Sequence, residues 1–310
     1  MHSETLGKPA SISSLRAVFV GVARNCAPFL PNVLANIARF AAHYRYAAYV
    51  FVVGDSSDQT IPILRSWLAH EREGIVVDQG RLEDIEPRRT VRIAAARNTC
   101  LDLVRDIYRD SDHLIVCDLD DVLAAQVSAR EFRRAAAWLE GQQSRACVSA
   151  NAAPRYYDVW ALRHEYWCPY DCWHAIWDRS PHASFDVAKY LHVYRRQIRI
   201  PADAAPIRVK SAFGGLAIYK LKFAVAASYK GLNAAGREQA EHIAFHEAIA
   251  AQGGESFVFP SLMVQAPQEH LFDADSASWR LKLSMLGHDL LECWRPKWTS
   301  LYRNDRSIAF

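Results

Sequence analysis

The residues best suited to chemistry in this sequence are three aspartates, Asp118, Asp120 and Asp121, which follow the apolar segment 114–117. If that segment is a buried strand, the acids lie at its carboxyl end, where open α/β sheets place their ligand sites. Carboxylate oxygens suit Mg²⁺ or Mn²⁺. The alternative is a solvated turn, or a helix that begins at Asp121 and whose dipole the acids stabilise. Three acids after so apolar a strand favour a metal site with Asp118 and Asp120 as ligands.

The segment 116–123, V-C-D-L-D-D-V-L, resembles motifs of two classes of enzyme. One is the DxD motif of GT-A glycosyltransferases, in which the acids bind a divalent metal and the diphosphate of a nucleotide sugar. The other is the first motif of haloacid-dehalogenase-type phosphatases, in which the first aspartate, here Asp118, is the nucleophile. The phosphatase motif normally lies on the first strand, whereas more than a hundred residues precede the segment 116–123 in this chain. The glycosyltransferase is therefore the first hypothesis and the Mg²⁺-dependent phosphatase the alternative.

Three upstream segments also resemble GT-A enzymes, in the same order along the chain. Residues 20–25 resemble the first strand and turn, 55–60 the acidic loop after the second strand, and 95–101 a helix start of the form A-R-N-x-x-L. For Arg97 an ion pair with one of the motif aspartates is an equal alternative to a phosphate contact. The resemblance implies that these upstream and motif residues contact the donor: Arg24, Asp55, Arg97, Asp118 and Asp121.

Two downstream segments resemble further parts of the same fold. Residues 156–163, Y-Y-D-V-W-A-L-R, resemble the Y-D-x-W-x-x-R string of a GT-A group that includes the capsule mannosyltransferase-like family. Residues 211–220 resemble the strand and glycine turn that line the sugar pocket, which implies that Gly214 and Gly215 contact the donor. A tight turn that needs positive φ explains these glycines almost as well. Trp160 either stacks on an acceptor sugar or fills the core.

A helix predicted from Glu238 to about Ala251 carries the candidate catalytic base, Glu241. The helix dipole stabilises an ionised carboxylate in the first turn, and such a carboxylate can accept a proton. Many inverting GT-A enzymes carry an acidic pair at the corresponding helix start. Glu241 matches the first position of that pair, and His242, which departs from the second, is assigned to the acceptor. The alternative for Glu241 is an ordinary acid that compensates the helix dipole.

GT-A metal sites often include a histidine from the C-terminal part of the domain, and the resemblance points to His270 as a third ligand. His270 follows the apolar run 257–264. A surface loop histidine is the alternative, and His242, His246 and His288 are weaker candidates. The implied cofactor is Mn²⁺ or Mg²⁺.

The elements that would position these residues alternate between β-rich runs and amphipathic segments of helical length. We predict strands at 17–23, 49–53, 74–78 and 113–117, and helices at 31–44, 61–70 and 92–108. The alternation predicts an α/β fold with a mostly parallel, Rossmann-like sheet flanked by helices, of GT-A type by the resemblance. With neither a linker nor an internal repeat in the sequence, we expect a single domain. It spans 15–278, between an N-terminal extension of 1–14 and a C-terminal helical tail of 279–310.

The composition narrows the class of protein further. The chain has 310 residues, of which 51% are hydrophobic, and a formal net charge of +3. These values exclude a disordered chain and argue against a nucleic-acid partner. Seven cysteines, mostly within apolar runs, are typical of buried thiols in a reducing compartment. Since neither a signal peptide nor an apolar run of spanning length is visible, we expect a cytoplasmic protein.

The predicted tail mixes aromatic and basic residues, which suits peripheral contact with the inner face of a membrane, where a lipid-linked acceptor would reside. A packing helix with a solvated end is the alternative. We therefore predict metal-dependent transfer of a sugar from a nucleotide-sugar donor to a hydroxyl of a glycan or lipid-linked acceptor. Outside the enzymes, the alternative is a sugar-binding module that keeps the pocket without turnover.

Overall fold

The structure, a computed structural model, describes residues 11–70, 72–273 and 282–283. One sheet forms its centre, with the strands β1 (Arg16–Ala23), β2 (Tyr46–Val53), β3 (Gly74–Asp78), β4 (His113–Asp118), β5 (Arg145–Ala153), β6 (Ile207–Val209), β7 (Leu216–Lys220) and β8 (Glu255–Gln265). Their order across the sheet is β3-β2-β1-β4-β7-β5-β8-β6. The pairs β1–β2, β2–β3, β1–β4 and β5–β8 are parallel, whereas β6 and β7 run antiparallel to their neighbours. The predicted mostly parallel sheet is confirmed.

The helices are α1 (Leu30–Ala41), α2 (Thr60–Leu68), α3 (Arg89–Ile107), α4 (Ala129–Glu140), α5 (Cys172–Trp177), α6 (Phe185–His192), α7 (Leu221–Ala224) and α8 (His242–Ala251). The strand and helix order predicted for the first half is confirmed, with ends that differ by at most three residues. The helix α1 ends before its predicted end at 44. Beyond it, Tyr44 turns into the interior, where its hydroxyl hydrogen-bonds with the His113 Nδ1 at 2.8 Å.

Both faces of the sheet are buried, which explains why its strands are continuous apolar runs in the sequence. In β1, Phe19 packs on one face with Ile37 of α1, and Val20 packs on the other face with Leu101 of α3. The parallel strands β1, β2 and β4 end at the same edge of the sheet. The loops that follow them carry four of the predicted site residues: Arg24, Asp55, Asp120 and Asp121.

Between β5 and β6 the chain departs from the alternation. Residues 154–206 build a third apolar cluster that includes Tyr156, Trp167 and Cys172. The indole N–H of the buried Trp167 donates to the Arg196 carbonyl at 2.6 Å. Trp160 packs against both this cluster and the core on one sheet face. The aromatic region is therefore joined to the sheet by direct packing.

The helix predicted to open at Glu238 begins four residues later, at His242. Contacts with distant segments hold Glu238 outside the helix. Its carboxylate accepts a hydrogen bond from the Thr90 hydroxyl at 2.8 Å, and its carbonyl accepts one from the His174 Nε2 at 2.8 Å. Glu238 also forms an antiparallel bridge with Leu232. These partners come from other parts of the chain, and helical periodicity cannot reveal them.

The predicted domain boundaries fall at the edges of the described structure. Ile12, within the predicted N-terminal extension, belongs to a short 3-10 helix and is buried in the core. The predicted C-terminal tail lies outside the described residues except for 282–283, and it stays a prediction. No helix in the described part of the chain is long and apolar enough to cross a bilayer.

The described cysteines are all free, buried thiols: Cys26, Cys100, Cys117, Cys147, Cys168 and Cys172. The expectation that cysteines in apolar runs are buried is confirmed for these six.

Candidate active site

A wide cleft of about 700 Å³ opens where β1, β2 and β4 end. That volume lies in the range of small-molecule sites. Gly214 and Gly215 are the two predicted site residues that do not line it. The other ten predicted residues line it together: Arg24, Asp55, Arg97, Asp118, Asp120, Asp121, Trp160, Glu241, His242 and His270.

Asp118 and Asp120 occupy the carboxyl end of β4. The backbone N–H of Asp118 donates to the Gly215 carbonyl at 2.8 Å, and the Oδ1 of Asp120 accepts from the Val122 N–H at 3.2 Å, which caps a short 3-10 helix. Burial, and then the charge of Asp118, raise the pKa of Asp120 to about 7. The carboxylates of Asp118 and Asp120 therefore repel each other, and a bound cation would relieve that repulsion.

Arg97, on α3, lies between two carboxylates of the cleft. Its Nη2 is 3.0 Å from the Asp118 Oδ1, and its Nε is 2.9 Å from the Glu241 Oε1. The guanidinium lies 4.8 Å from the centre of the Phe213 ring. Although burial opposes its charge, Glu241 and Asp118 raise the pKa of Arg97 above its usual value. Of the two sequence interpretations of Arg97, the structure shows the ion pair with Asp118.

Glu241 and His242 stand where α8 begins. Glu241 is the residue before the helix, with helical φ and ψ and no side-chain cap. The His242 ring stacks on Phe213 with ring centres 4.0 Å apart, and its Nε2 is 3.5 Å from the Glu241 Oε1. Burial, and then the charge of Arg97, hold the pKa of His242 well below its usual value. His242 is only 2% exposed, so its neutral ring supports the cleft wall and offers an acceptor little surface.

Asp55 and Arg24, two predicted donor residues, are both tied to the loop after β3. Asp55 has a φ of 54°, and its Oδ1 accepts from the Glu83 N–H at 2.9 Å. The Arg92 Nε lies 3.2 Å from the other Asp55 oxygen. Arg24 forms an ion pair with the Glu83 side chain at 2.7 Å. Both carboxylate oxygens of Asp55 therefore have partners within the protein. The side chain of Arg24 is half-exposed, so it is more accessible to a ligand than Asp55 is.

Gly214 and Gly215 are buried behind the cleft wall, which differs from the predicted donor contact. Their φ angles are 70° and 84°, a region that favours glycine. A Cβ atom on Gly215 would lie 2.3 Å from the Val122 Cγ1. The alternative from the sequence, a tight turn with positive φ, is what the structure shows. The turn holds Asp118 through the Gly215 carbonyl.

Aromatic rings also line the cleft, and we call this group of residues the aromatic wall (Tyr157, Trp160 and Trp173). Trp160 is half-buried and meets Trp173 edge to face, with ring centres 6.0 Å apart. His270 stacks on Tyr157 at 5.7 Å with nearly parallel rings. Within the described ranges, no three His, Cys, Asp or Glu side chains stand at the spacing of a metal site. His270 is therefore not assembled with Asp118 and Asp120 as a third ligand.

Solved structures share this architecture at low sequence identity. The mannosyltransferase PcManGT from Pyrobaculum calidifontis, in complex with GDP-Man and Mn²⁺, matches with a TM-score of 0.50 at 18% identity, over 84% of this chain and 60% of that one. The chain has the GT-A fold. The fold class predicted from the sequence is confirmed. The chain spans about three fifths of the length of PcManGT.

Two further structures are more distant from this GT-A chain. S. aureus TarS 1–349 in complex with UDP-GlcNAc has a TM-score of 0.46 and 12% identity, over 88% of this chain and 67% of that one. GalNAc-T7 with UDP, GalNAc and Mn²⁺ has a TM-score of 0.48 and 14% identity, over 81% and 44%. No family model and no curated protein matches the sequence.

Two residues of the GT-A cleft were missed in the sequence. Asp158 accepts from the Gly214 N–H at 2.9 Å, and burial raises its pKa to about 6. Asp158 is the aspartate of the segment 156–163, so the resemblance of that segment to the Y-D-x-W-x-x-R string could have identified it as a site residue. Arg89, in the first turn of α3, is exposed in the cleft and makes no ion pair with another described residue. Nothing in the local sequence separates Arg89 from its neighbour Arg88, which pairs with Glu86.

Proposed function

We propose that this chain is a nucleotide-sugar-dependent glycosyltransferase. The observation that carries the proposal is the pair Asp118 and Asp120, at the carboxyl end of β4 and in the wall of a 700 Å³ cleft of a GT-A fold. PcManGT, whose fold is similar, binds GDP-Man and Mn²⁺ in its structure. A donor of the same class, a sugar on a nucleoside diphosphate, is the substrate that we assign to this cleft.

Asp118 and Asp120 fit a divalent cation of the Mg²⁺ or Mn²⁺ type. Such cations are commonly held by one or two carboxylates, and substrate phosphates and waters complete the shell. A third protein ligand is therefore not required, and His270 is free to keep its stack on Tyr157. When bound, the cation neutralises the charge that develops on the leaving diphosphate. Asp121, the third aspartate of the motif, also lines the cleft, and we assign it to the binding of the donor.

Basic residues prepare the cleft for the donor. Arg97 fixes the orientation of Asp118 and stays charged, because carboxylates face it on two sides. Arg89 extends into the cleft from the amino end of α3, where the helix dipole also favours an anion. We assign Arg89 to a phosphate of the donor, because an arginine that forms no ion pair within the described residues can pair bidentately with a phosphate.

Glu241 is the proposed general base for the acceptor hydroxyl. The Arg97 Nε–H donates to its Oε1 at 2.9 Å, which orients the carboxylate. We expect this base to contribute about 10²-fold in rate, within the usual range for a general base. If Glu241 only positions Arg97, its loss should weaken donor binding as well.

The acceptor side is the aromatic wall, where flat rings suit the apolar face of a sugar. We propose a hydroxyl of a glycan or lipid-linked sugar as the acceptor. Peripheral membrane contact through the tail at 279–310 belongs to this part of the proposal.

Thermal-shift measurements with nucleoside diphosphates, each with and without Mn²⁺, test the function directly. We expect stabilisation by one nucleotide that depends on Mn²⁺, followed by sugar transfer from the matching nucleotide sugar. Metal-independent stabilisation would contradict the role of Asp118 and Asp120. Release of phosphate from a phosphomonoester, lost in Asp118→Asn, would favour the phosphatase alternative. Donor binding with no turnover over any acceptor would indicate a sugar-binding module.

A further inference from the structure

Asp158 is a cleft carboxylate that the proposed reaction leaves without a role. It lies in the loop after β5 and lines the cleft together with its neighbours Tyr157 and Trp160. Its Oδ2 accepts from the Gly214 N–H at 2.9 Å, and its Oδ1 accepts from the Ala161 N–H at 3.4 Å. Because these two donors belong to different segments of the chain, they fix the orientation of the carboxylate.

Three other acidic side chains of the cleft each have an arginine partner. Asp118 and Glu241 share Arg97, and Asp55 pairs with Arg92. Asp158 forms no ion pair with any residue in the described part of the chain. An ionised carboxylate can accept about four hydrogen bonds, so Asp158 keeps acceptor capacity after its two backbone contacts. Hydroxyl groups of a ligand would supply the missing donors.

Trp160 is presented from the same turn as Asp158. The hydrogen bond from the Ala161 N–H to Asp158 closes a turn that contains Trp160. Edge-to-face contacts with Trp173 and Trp177, at 6.0 and 6.5 Å between ring centres, hold the indole in place. A carboxylate beside a fixed aromatic ring recognises a sugar in two ways, because the ring packs against C–H groups and the carboxylate accepts from hydroxyls.

We infer, on the basis of the proposed glycosyl transfer, that Asp158 is a sugar-binding residue whose carboxylate accepts hydrogen bonds from hydroxyls of a pyranose packed against Trp160. Because the proposed function assigns the aromatic wall to the acceptor, we expect the pyranose to be that of the acceptor; the donor sugar is the alternative, since both offer the same ring hydroxyls. The two sources differ in which substrate loses affinity when the contact is removed.

The variant Asp158→Asn tests the contact with little change of shape, because the amide keeps one oxygen for a backbone N–H. Asp106→Asn is the matched control, the same change at an exposed residue of α3. We expect kcat/KM for one substrate to fall by about 10- to 100-fold, the range for a hydrogen bond to a charged group. A rise in the donor KM identifies the donor sugar, and a rise in the acceptor KM identifies the acceptor. Calorimetry with the nucleoside diphosphate and Mn²⁺ should give the wild-type affinity in both variants.

Substrates that lack one hydroxyl test the same contact in the unaltered protein, so poor folding of the variant cannot hide the answer. One deoxy sugar should lose a similar factor with the wild-type protein and lose nothing further with Asp158→Asn. The inference is overturned if wild-type protein transfers sugar and Asp158→Asn keeps kcat/KM for both substrates within about two-fold. It is also overturned if the variant loses affinity for the nucleoside diphosphate alone, which would place Asp158 at the phosphates. A wild-type protein without transfer activity would instead refute the proposed function, and this inference with it.

Discussion

The two sides of the cleft are held in place by different forces. On the acidic side, which consists of Asp118, Asp120 and Glu241, the buried Arg97 joins two carboxylates through contacts of 2.9 and 3.0 Å. On the aromatic wall, rings pack edge to face about 6.0 Å apart, as Trp160 and Trp173 do. Loss of one partner in a buried ion pair leaves an uncompensated charge, whereas loss of one ring leaves a gap that neighbours partly fill.

We expect the acidic side and the aromatic wall to recognise different parts of the substrates. Donors of the proposed class share a diphosphate and its cation whatever their sugar, and fixed charges suit them at short range. Sugars differ in shape and in the position of their hydroxyls, and an aromatic surface responds to those differences. Changes on the acidic side should therefore lower turnover with every substrate. Changes on the aromatic wall should alter which sugar is used.

The largest effect is expected from Asp120→Asn, on the acidic side. Loss of a cation ligand should reduce kcat by about 10³-fold, the upper end for one electrostatic group at a reacting centre. The melting temperature should stay the same or rise, because the substitution removes repulsion from Asp118. Transfer assays and thermal melts measure both. Full activity in this variant would contradict the assignment of Asp120 as a cation ligand.

A smaller loss is expected from Glu241→Gln, about 10²-fold in kcat with unchanged donor affinity. The amide keeps a hydrogen-bond acceptor for Arg97 and cannot take the acceptor proton. Rates at saturating donor, together with calorimetry of donor binding, separate the two effects. Weaker donor binding would show that Glu241 acts through Arg97. NMR of the product adds a further check, since retention of the donor's anomeric configuration would remove the need for an inverting base.

On the aromatic wall, Trp160→Leu should raise the acceptor KM by about 10-fold and leave kcat near its wild-type value, because an aromatic contact contributes on the order of 1 kcal/mol beyond its area. Leucine refills part of the volume and limits the loss of stability. Acceptor titrations at fixed donor measure the change. A loss of kcat with every acceptor would contradict the proposed division between the two sides.

The last prediction concerns the stability of the protein and the buried side chain of His246. Burial lowers the pKa of His246 from 6.5 to about 3, and its ring hydrogen-bonds with Tyr219 and Ser256. Between these values the unfolded chain binds more protons, so stability is complete above pH 6.5 and falls as the pH decreases. At pH 5 the loss is on the order of 2 kcal/mol, or about 3 °C in melting temperature for a chain of this length.

The variant His246→Gln isolates this contribution from that of the other titrating groups. Its melting temperature should fall less than that of the wild-type protein between pH 7.5 and 5, two values that bracket the unperturbed histidine pKa of about 6.5. Differential scanning calorimetry at both pH values gives the difference. Equal falls in both proteins would show that His246 does not carry the acid sensitivity.

The sequence alone determined the strand and helix order of the first half and the placement of Asp118 and Asp120 at a strand end. Both follow from local patterns, since apolar runs and helical spacing report burial within a few neighbouring residues. Predicted site residues that follow strands, such as Arg24, Asp55 and Asp120, line one cleft because parallel strands bring their carboxyl ends to one edge.

The tertiary structure decided which partner each side chain takes. Arg97 and Glu241 are 144 residues apart in sequence and meet at 2.9 Å, so whether Arg97 faces a phosphate or a carboxylate depended on how α8 packs. The start of α8, the place of His270 beside Tyr157 and the two backbone donors to Asp158 depend in the same way on distant segments. Local periodicity carries no information about such partners, because hydrogen bonds and ion pairs act between atoms that only the folded chain brings within about 3 Å.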